Sequence, residues 1–174
     1  MSDEHITTIP EETRVTFELQ GALPIFRETY YSPQAGTVVI KGFVHQRAHV
    51  TLENGTQYRT MAPKKVDDYP TDLSYPVVRL PDKTPVLYLR TPLKTSTDTR
   101  LRFTTVLDGL QYIYRQVSPG KRGFELWDGM EMQKLVARET SSAKLVPDLT
   151  VLVPVPALFV LLFPWLDGQT SVFR

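Results

Sequence analysis

The sequence predicts a mainly β, antiparallel fold organised around an uncharged apolar segment near the C-terminus. Three observations support this prediction. Apolar and polar residues alternate from Val15 onward with the period of two that a half-buried strand requires. Three Asx-Gly pairs stand between strand-like runs, and 14 prolines against 9 glycines favour short strands over long helices. Residues 149–166 carry no charge at all.

The length of 174 residues fits one domain. We expect residues 1–13 to form a flexible N-terminal leader and residues 14–174 to form a single β-rich domain. The first strand of that domain begins near Val15, and four more strands are predicted at residues 25–31, 37–44, 48–52 and 57–61, which are rich in β-branched and aromatic residues.

Asx-Gly pairs mark the turns of three predicted hairpins, because these residues accept the positive φ angles of tight turns. The pairs are Asn54-Gly55, Asp108-Gly109 and Asp128-Gly129. Between the first two hairpins, residues 62–85 contain five prolines. Since proline removes a backbone donor, we expect an irregular connection there with short edge strands such as residues 77–80. Residues 94–100 are predicted to form an exposed polar loop.

The uncharged C-terminal segment has two interpretations, a buried domain centre or a membrane tail. Its 18 residues lie at the lower limit for a membrane-spanning helix, which needs about 20 residues. Pro154, Pro156 and Pro164 divide it, so the helical part is predicted to be short and to stop before Pro164. A helix that is apolar on every side must be enclosed, here by the sheet. The predicted buried helix comprises Pro156, Ala157, Leu158, Phe159, Val160, Leu161, Leu162 and Phe163.

The order of motifs in the second half of the chain resembles the tubby C-terminal-like superfamily, in particular its LURP-one-like and fungal tubby-like domains. The motifs are FTTVLDGLQY at residues 103–112, FELWDG at residues 124–129, KLVARE at residues 134–139, and the apolar segment that follows. The resemblance implies an antiparallel barrel closed around one hydrophobic C-terminal helix. Pro154 and Pro156 depart from the longer unbroken helix of that family. The resemblance also implies a binding or membrane-associated module, because tubby proteins bind phosphoinositides and scramblase-like relatives act at bilayers.

Composition and motifs argue against several classes of function. The formal net charge of +1 lacks the basic field on which sequence-independent nucleic-acid binding relies, so no nucleic-acid partner is expected. The absence of cysteine excludes disulfides, thiolate zinc sites and cysteine nucleophiles. The polar, acid-rich start of the chain does not fit a secretory signal, which predicts a cytoplasmic protein.

Neither a catalytic motif nor a metal or cofactor site is predicted. His45 and His49 have the spacing of a helical metal pair, but in a strand their positions lie about 13 Å apart, too far for one ion. Basic residues that are grouped in the sequence are the candidate ligand-binding residues, because phosphate headgroups attract such cations. They are Lys64, Lys65, Arg100, Arg102, Lys121 and Arg122.

The leading expectation is therefore a non-enzymatic, intracellular binding module for anionic lipid headgroups such as phosphoinositides, for an apolar ligand or for another protein. Any membrane association is expected to be peripheral. One alternative is a tail-anchored membrane protein with a small β domain. Another is a lipocalin-like carrier or enzyme with an apolar cavity, although such barrels keep their interior open.

Overall fold

A computed structural model describes residues 7–22, 27–42, 46–66, 69–92, 100–129, 132–139 and 146–170. Within these ranges the chain is mainly β. The strands of the first half are β1 (Thr8–Ile9), β2 (Thr13–Thr16), β3 (Glu18–Ala22), β4 (Arg27–Ser32), β5 (Gly36–Lys41), β6 (Arg47–Leu52), β7 (Gln57–Thr60) and β8 (Lys64–Val66). The remaining elements are β9 (Tyr69–Arg79), β10 (Thr84–Pro92), β11 (Arg102–Leu107), β12 (Leu110–Gln116), β13 (Phe124–Asp128), β14 (Lys134–Glu139), β15 (Asp148–Val151), β16 (Val155–Pro156), α1 (Ala157–Leu161) and α2 (Phe163–Gln169).

Thirteen strands form a nearly closed antiparallel barrel. Their order is β2-β15-β14-β13-β12-β11-β10-β9-β7-β6-β5-β4-β3, and β8 pairs with β9 beside this path. The two ends of the order, β2 and β3, are consecutive in the chain and are joined through Phe17 alone, which bends the sheet round on itself. At this junction the Thr16 N–H donates to Oε1 of Gln34 (3.1 Å). The predicted antiparallel barrel around a short hydrophobic helix is confirmed.

The two short helices fill the barrel and contact strands from different parts of its wall. The Tyr114 hydroxyl on β12 donates to the carbonyl oxygen of Phe159 in α1 (2.6 Å). Trp165 in α2 meets Tyr75 of β9 edge-on, with ring centroids 5.2 Å apart, and its Nε1–H donates to the carbonyl oxygen of Gln46 just before β6 (2.7 Å). All of these aromatic side chains are fully buried. The interior is therefore occupied by the chain's own C-terminal segment.

The boundaries of the helical segment differ from the prediction. Pro156 belongs to β16, where it is opposite Thr8, and the helix begins only at Ala157. The chain turns at Leu162 and then forms a second helix through Pro164, so the predicted stop before Pro164 is wrong. Pro164 lies in the first turn of α2, where a backbone N–H needs no partner within the helix. No helix in the described part of the chain is long and apolar enough to cross a membrane.

The N-terminal residues also differ from the expected loose leader where the structure describes them. Thr8 and Ile9 form β1, which pairs with β16, and Ile9 is buried in the core. The backbone N–H of Ala157 donates to the carbonyl oxygen of Thr7 (2.7 Å). This segment therefore covers the start of α1. Residues 1–6 lie outside the described residues.

The proline-rich stretch forms a long strand, so the predicted irregular connection is wrong for β9. β9 pairs with β10 on one side, and with β7 and then β8 on the other. The carbonyl oxygen of Pro76 accepts from Met61 N–H (2.7 Å) at the interruption between β7 and β8. In an antiparallel strand, the N–H and C=O of one residue point toward the same neighbouring strand. The position where Pro76 lacks an N–H therefore faces the gap between β7 and β8. No hydrogen bond of the β ladder is lost there. Residues 94–99 of the predicted polar loop lie outside the described residues.

The three predicted hairpins are present. β6 and β7 are joined across Asn54-Gly55, with Gly55 at φ +88°. β11 and β12 are joined by the two-residue turn Asp108-Gly109, where both residues have positive φ. β13 and β14 form an antiparallel pair, and Asp128-Gly129 lies where the chain leaves β13.

Candidate anion-binding site

Four side chains of basic residues line one depression on the outer face of β5, β6 and β7. They are Lys41, Arg47, His49 and Arg59, here called the basic face, and the depression has a volume of about 320 Å³. They point outward because side chains alternate along each strand, and the residues between them are buried in the core.

The register of the hairpins brings these basic residues together. Lys41 is opposite Arg47 in the β5–β6 pair, and His49 is opposite Arg59 in the β6–β7 pair. Directly opposite residues have Cβ atoms about 4.5–5.5 Å apart. Arg27 on β4 is opposite Lys41 and extends the row by one more cation.

No described carboxylate lies within ion-pair distance of Lys41, Arg47 or Arg59. Nε of Arg59 is buried and has no hydrogen-bond partner. His49 is held by a contact between its Nε2 and Oε1 of Gln57 (3.2 Å). Like charges opposite one another in a sheet destabilise it, so an anion in the depression would offset the repulsion between Lys41 and Arg47.

Arg14, Arg115 and Arg138, by contrast, lie beside carboxylates. Arg14 makes two hydrogen bonds to Asp148, through Nε (3.1 Å) and through a terminal guanidinium nitrogen (2.6 Å). Glu125 forms ion pairs with Arg138 (3.2 Å) and with Arg115 (3.5 Å). The basic face differs from these pairs in having cations without described counter-charges.

The binding residues predicted from sequence do not come together, and none belongs to the basic face. Lys64 and Lys65 lie on β8, Arg100 precedes β11, and Arg102 is the first residue of β11. Lys121 and Arg122 lie in the turn between β12 and β13. The sequence does indicate the basic face through basic residues at outward-facing positions of neighbouring strands. This pattern can be recognised only when the registers of the hairpins are known.

A second polar cluster lies inside the barrel, around the end of α2. Glu139 of β14 and Asp167 of α2 share a side-chain hydrogen bond, and the Gly123 N–H donates to Oδ1 of Asp167 (2.9 Å). Burial, reinforced by the charge of Asp167, raises the pKa of Glu139 to about 10. Burial also raises the pKa of Asp167, to about 6, against the opposing effects of the Gly123 N–H, Glu139 and Arg122. Glu139 is therefore the proton donor of the pair at neutral pH.

Two carboxyl groups with pKa values pushed apart resemble an acid–base pair. Glu139 and Asp167, however, are only 7% and 5% exposed. The pair thus attaches the last turn of α2 to the wall of the barrel and is shielded from solvent. Within the described ranges, no group of three or more histidine or acidic side chains is placed to hold a metal ion. His49 lies on the basic face, and His45 is outside the described residues.

Comparisons with family models, with curated proteins and with solved structures find no match to this chain. The tubby-like resemblance stays a prediction.

Proposed function

We propose that this chain is a non-enzymatic, tubby-like binding module whose basic face binds the phosphate groups of anionic lipid headgroups. The proposal is based on the depression lined by Lys41, Arg47, His49 and Arg59. None of these side chains has a described carboxylate partner. Guanidinium and ammonium groups are the usual donors to phosphate oxygens.

The placement of the cations favours a membrane surface over a deep pocket. Lys41 and Arg47 are exposed at the ends of β5 and β6, while Arg59 and His49 are half-buried below them. Each basic residue close to an anionic leaflet contributes about 1 kcal/mol. Such a protein associates peripherally with the anionic cytoplasmic leaflet. The carrier alternative has less support, because the described interior of the barrel is filled by α1 and α2.

Vesicle co-sedimentation tests this proposal. The full chain is mixed with phosphatidylcholine vesicles, with or without phosphatidylserine or a phosphatidylinositol bisphosphate. We expect binding only to the anionic vesicles and weaker binding as salt increases, because exposed charges are screened. The double variant Lys41→Glu/Arg47→Glu is expected to lower vesicle affinity by about tenfold or more, given two reversed charges.

The control variant is Lys64→Glu/Lys65→Glu, which changes the net charge equally but lies on β8. It is expected to retain most of the affinity. Equal losses in the two variants would show that only net charge matters. Binding that ignores salt, or that the Lys41/Arg47 variant leaves intact, would refute the proposal.

A further inference from the structure

A larger groove lies on another part of the outer face, across β8 to β12. Its volume is about 530 Å³, within the range of about 300–1,000 Å³ typical of small-molecule sites. Apart from two arginines, the residues that define it are apolar or carry a hydroxyl group, namely Val66, Ser74, Tyr88, Thr104, Val106 and Ile113. None of the described lining residues is acidic. We call it the outer groove.

Short side chains in the middle of the sheet give the groove its depth. Ser74, Arg90, Thr104 and Ile113 are opposite one another on the successive strands β9 to β12. Ser74 and Thr104 are the short members of this row, so they leave space between their longer neighbours. The groove therefore runs across the strands.

The floor of the groove is apolar. Ile113 lies between Tyr112 and Tyr114, which belong to the core cluster, so its side chain points outward, yet it is only 3% exposed. Tyr88 and Val106 line the groove with 53% and 50% of their surfaces exposed. Large exposed apolar side chains grouped around a concave surface mark an interaction site more often than isolated ones do.

The charged side chains of the groove are already engaged within the protein. Oδ2 of Asp72 accepts from Nε of Arg90 (2.9 Å) and lies 2.8 Å from a terminal nitrogen of the same guanidinium. Arg102, the other arginine of the lining, also has a partner of its own. A charged ligand would have to compete with these interactions, whereas an uncharged ligand can bind by apolar contact alone.

We propose that the outer groove binds an uncharged, apolar small molecule, which covers the exposed surfaces of Tyr88 and Val106 and lies on Ile113. Removal of this apolar surface from water drives the binding. The site is separate from the basic face, and the proposal does not depend on membrane binding. It assigns the outer wall of the barrel an apolar ligand that the filled interior has no room to hold.

The test uses Nile red, an uncharged dye that becomes fluorescent in apolar surroundings, as the probe on the full chain. Decanol, decanoate and decyltrimethylammonium, which share the same alkyl chain, are then compared as competitors below their micelle concentrations. We expect saturable fluorescence enhancement, with decanol competing at least as strongly as the two ions. If either ion competes more strongly than decanol, the assignment of an uncharged ligand is wrong. Enhancement that does not saturate would also overturn the proposal.

Serine substitutions at exposed positions locate the site. Tyr88→Ser and Val106→Ser are each expected to weaken Nile red binding several-fold, and the double variant by about tenfold or more, because apolar contact is lost. Leu110→Ser is the matched control, because Leu110 is 56% exposed but does not line the groove. Unchanged binding in the double variant, or an equal loss in Leu110→Ser, would overturn the proposal.

The basic-face variant Lys41→Glu/Arg47→Glu separates this proposal from the previous one. It is expected to bind Nile red like the wild-type chain while losing vesicle affinity. If it loses both activities, the dye binds at the basic face and the groove assignment is wrong. If it loses neither, the headgroup proposal fails while the groove proposal stands.

Discussion

Replacing Glu139 with glutamine is expected to make the stability of this protein less sensitive to pH above neutrality. Glu139 is buried, its pKa is raised from 4.5 to about 10, and it shares a hydrogen bond with Asp167. The amide of glutamine can donate to Asp167 in the same place but has no proton to lose. The substitution thus preserves the shape and the hydrogen bond while removing the titration.

The magnitude follows from proton linkage. A carboxyl with a higher pKa in the folded state than in the unfolded state binds more protons when folded. Raising the pH from 4.5 toward 10 therefore lowers the free energy of unfolding. One proton corresponds to about 1.4 kcal/mol per pH unit. Asp167, with a pKa of about 6, contributes in the same direction only at lower pH. Above about pH 6, the change of the free energy of unfolding with pH is therefore assigned to Glu139.

Urea unfolding followed by tryptophan fluorescence at pH 7, 8 and 9 measures this slope. We expect the wild-type chain to lose about 2–3 kcal/mol over this range and Glu139→Gln to lose much less. Glu18→Gln, at an exposed position on β3, is the control and should follow the wild-type chain. Parallel pH profiles for the wild-type chain and Glu139→Gln would refute the reasoning, because the proton would then not be held by Glu139.

Four further substitutions test the packing of the barrel. Gly36→Ala should destabilise by several kcal/mol, because Gly36 has φ +135° and a Cβ there would lie 2.2 Å from the carbonyl oxygen of Thr51. Gly55→Ala, with φ +88° but open space around it, should cost only about 1 kcal/mol. Equal losses in thermal unfolding would contradict this contrast. Tyr114→Phe removes the donor to the Phe159 carbonyl and should cost about 1–2 kcal/mol, whereas Phe159→Ala should cost about 3–5 kcal/mol by opening a cavity in the core. A Phe159→Ala variant as stable as Tyr114→Phe would show that the helix does not fill the barrel.

Local sequence signals predicted the hairpins because their turn chemistry is contained in two adjacent residues. Asp108-Gly109 fixes the register of β11 and β12, with Leu107 opposite Leu110. The apolar periodicity likewise placed the strands, because alternation depends only on neighbouring residues.

Features that depend on distant pairing could not be predicted in the same way. Pro76 is compatible with a long strand only because the neighbouring strand is interrupted opposite it, between β7 and β8. The contact between Glu139 and Asp167 joins a strand to a helix across the barrel end, and no local pattern signals it. The basic face required the β5–β6 register, which brings Lys41 beside Arg47.

The filled interior determines where function must be sought. In a barrel with an open interior, specificity arises from inward-facing side chains, but here those positions contact α1 and α2. Along the described strands, alternation then leaves the outward-facing positions for recognition. These positions carry two different chemistries, cations without described counter-charges on β5–β7 and an apolar floor with guanidinium groups on β10–β12. Because the two surfaces share no residue, substitutions in one should leave the other intact.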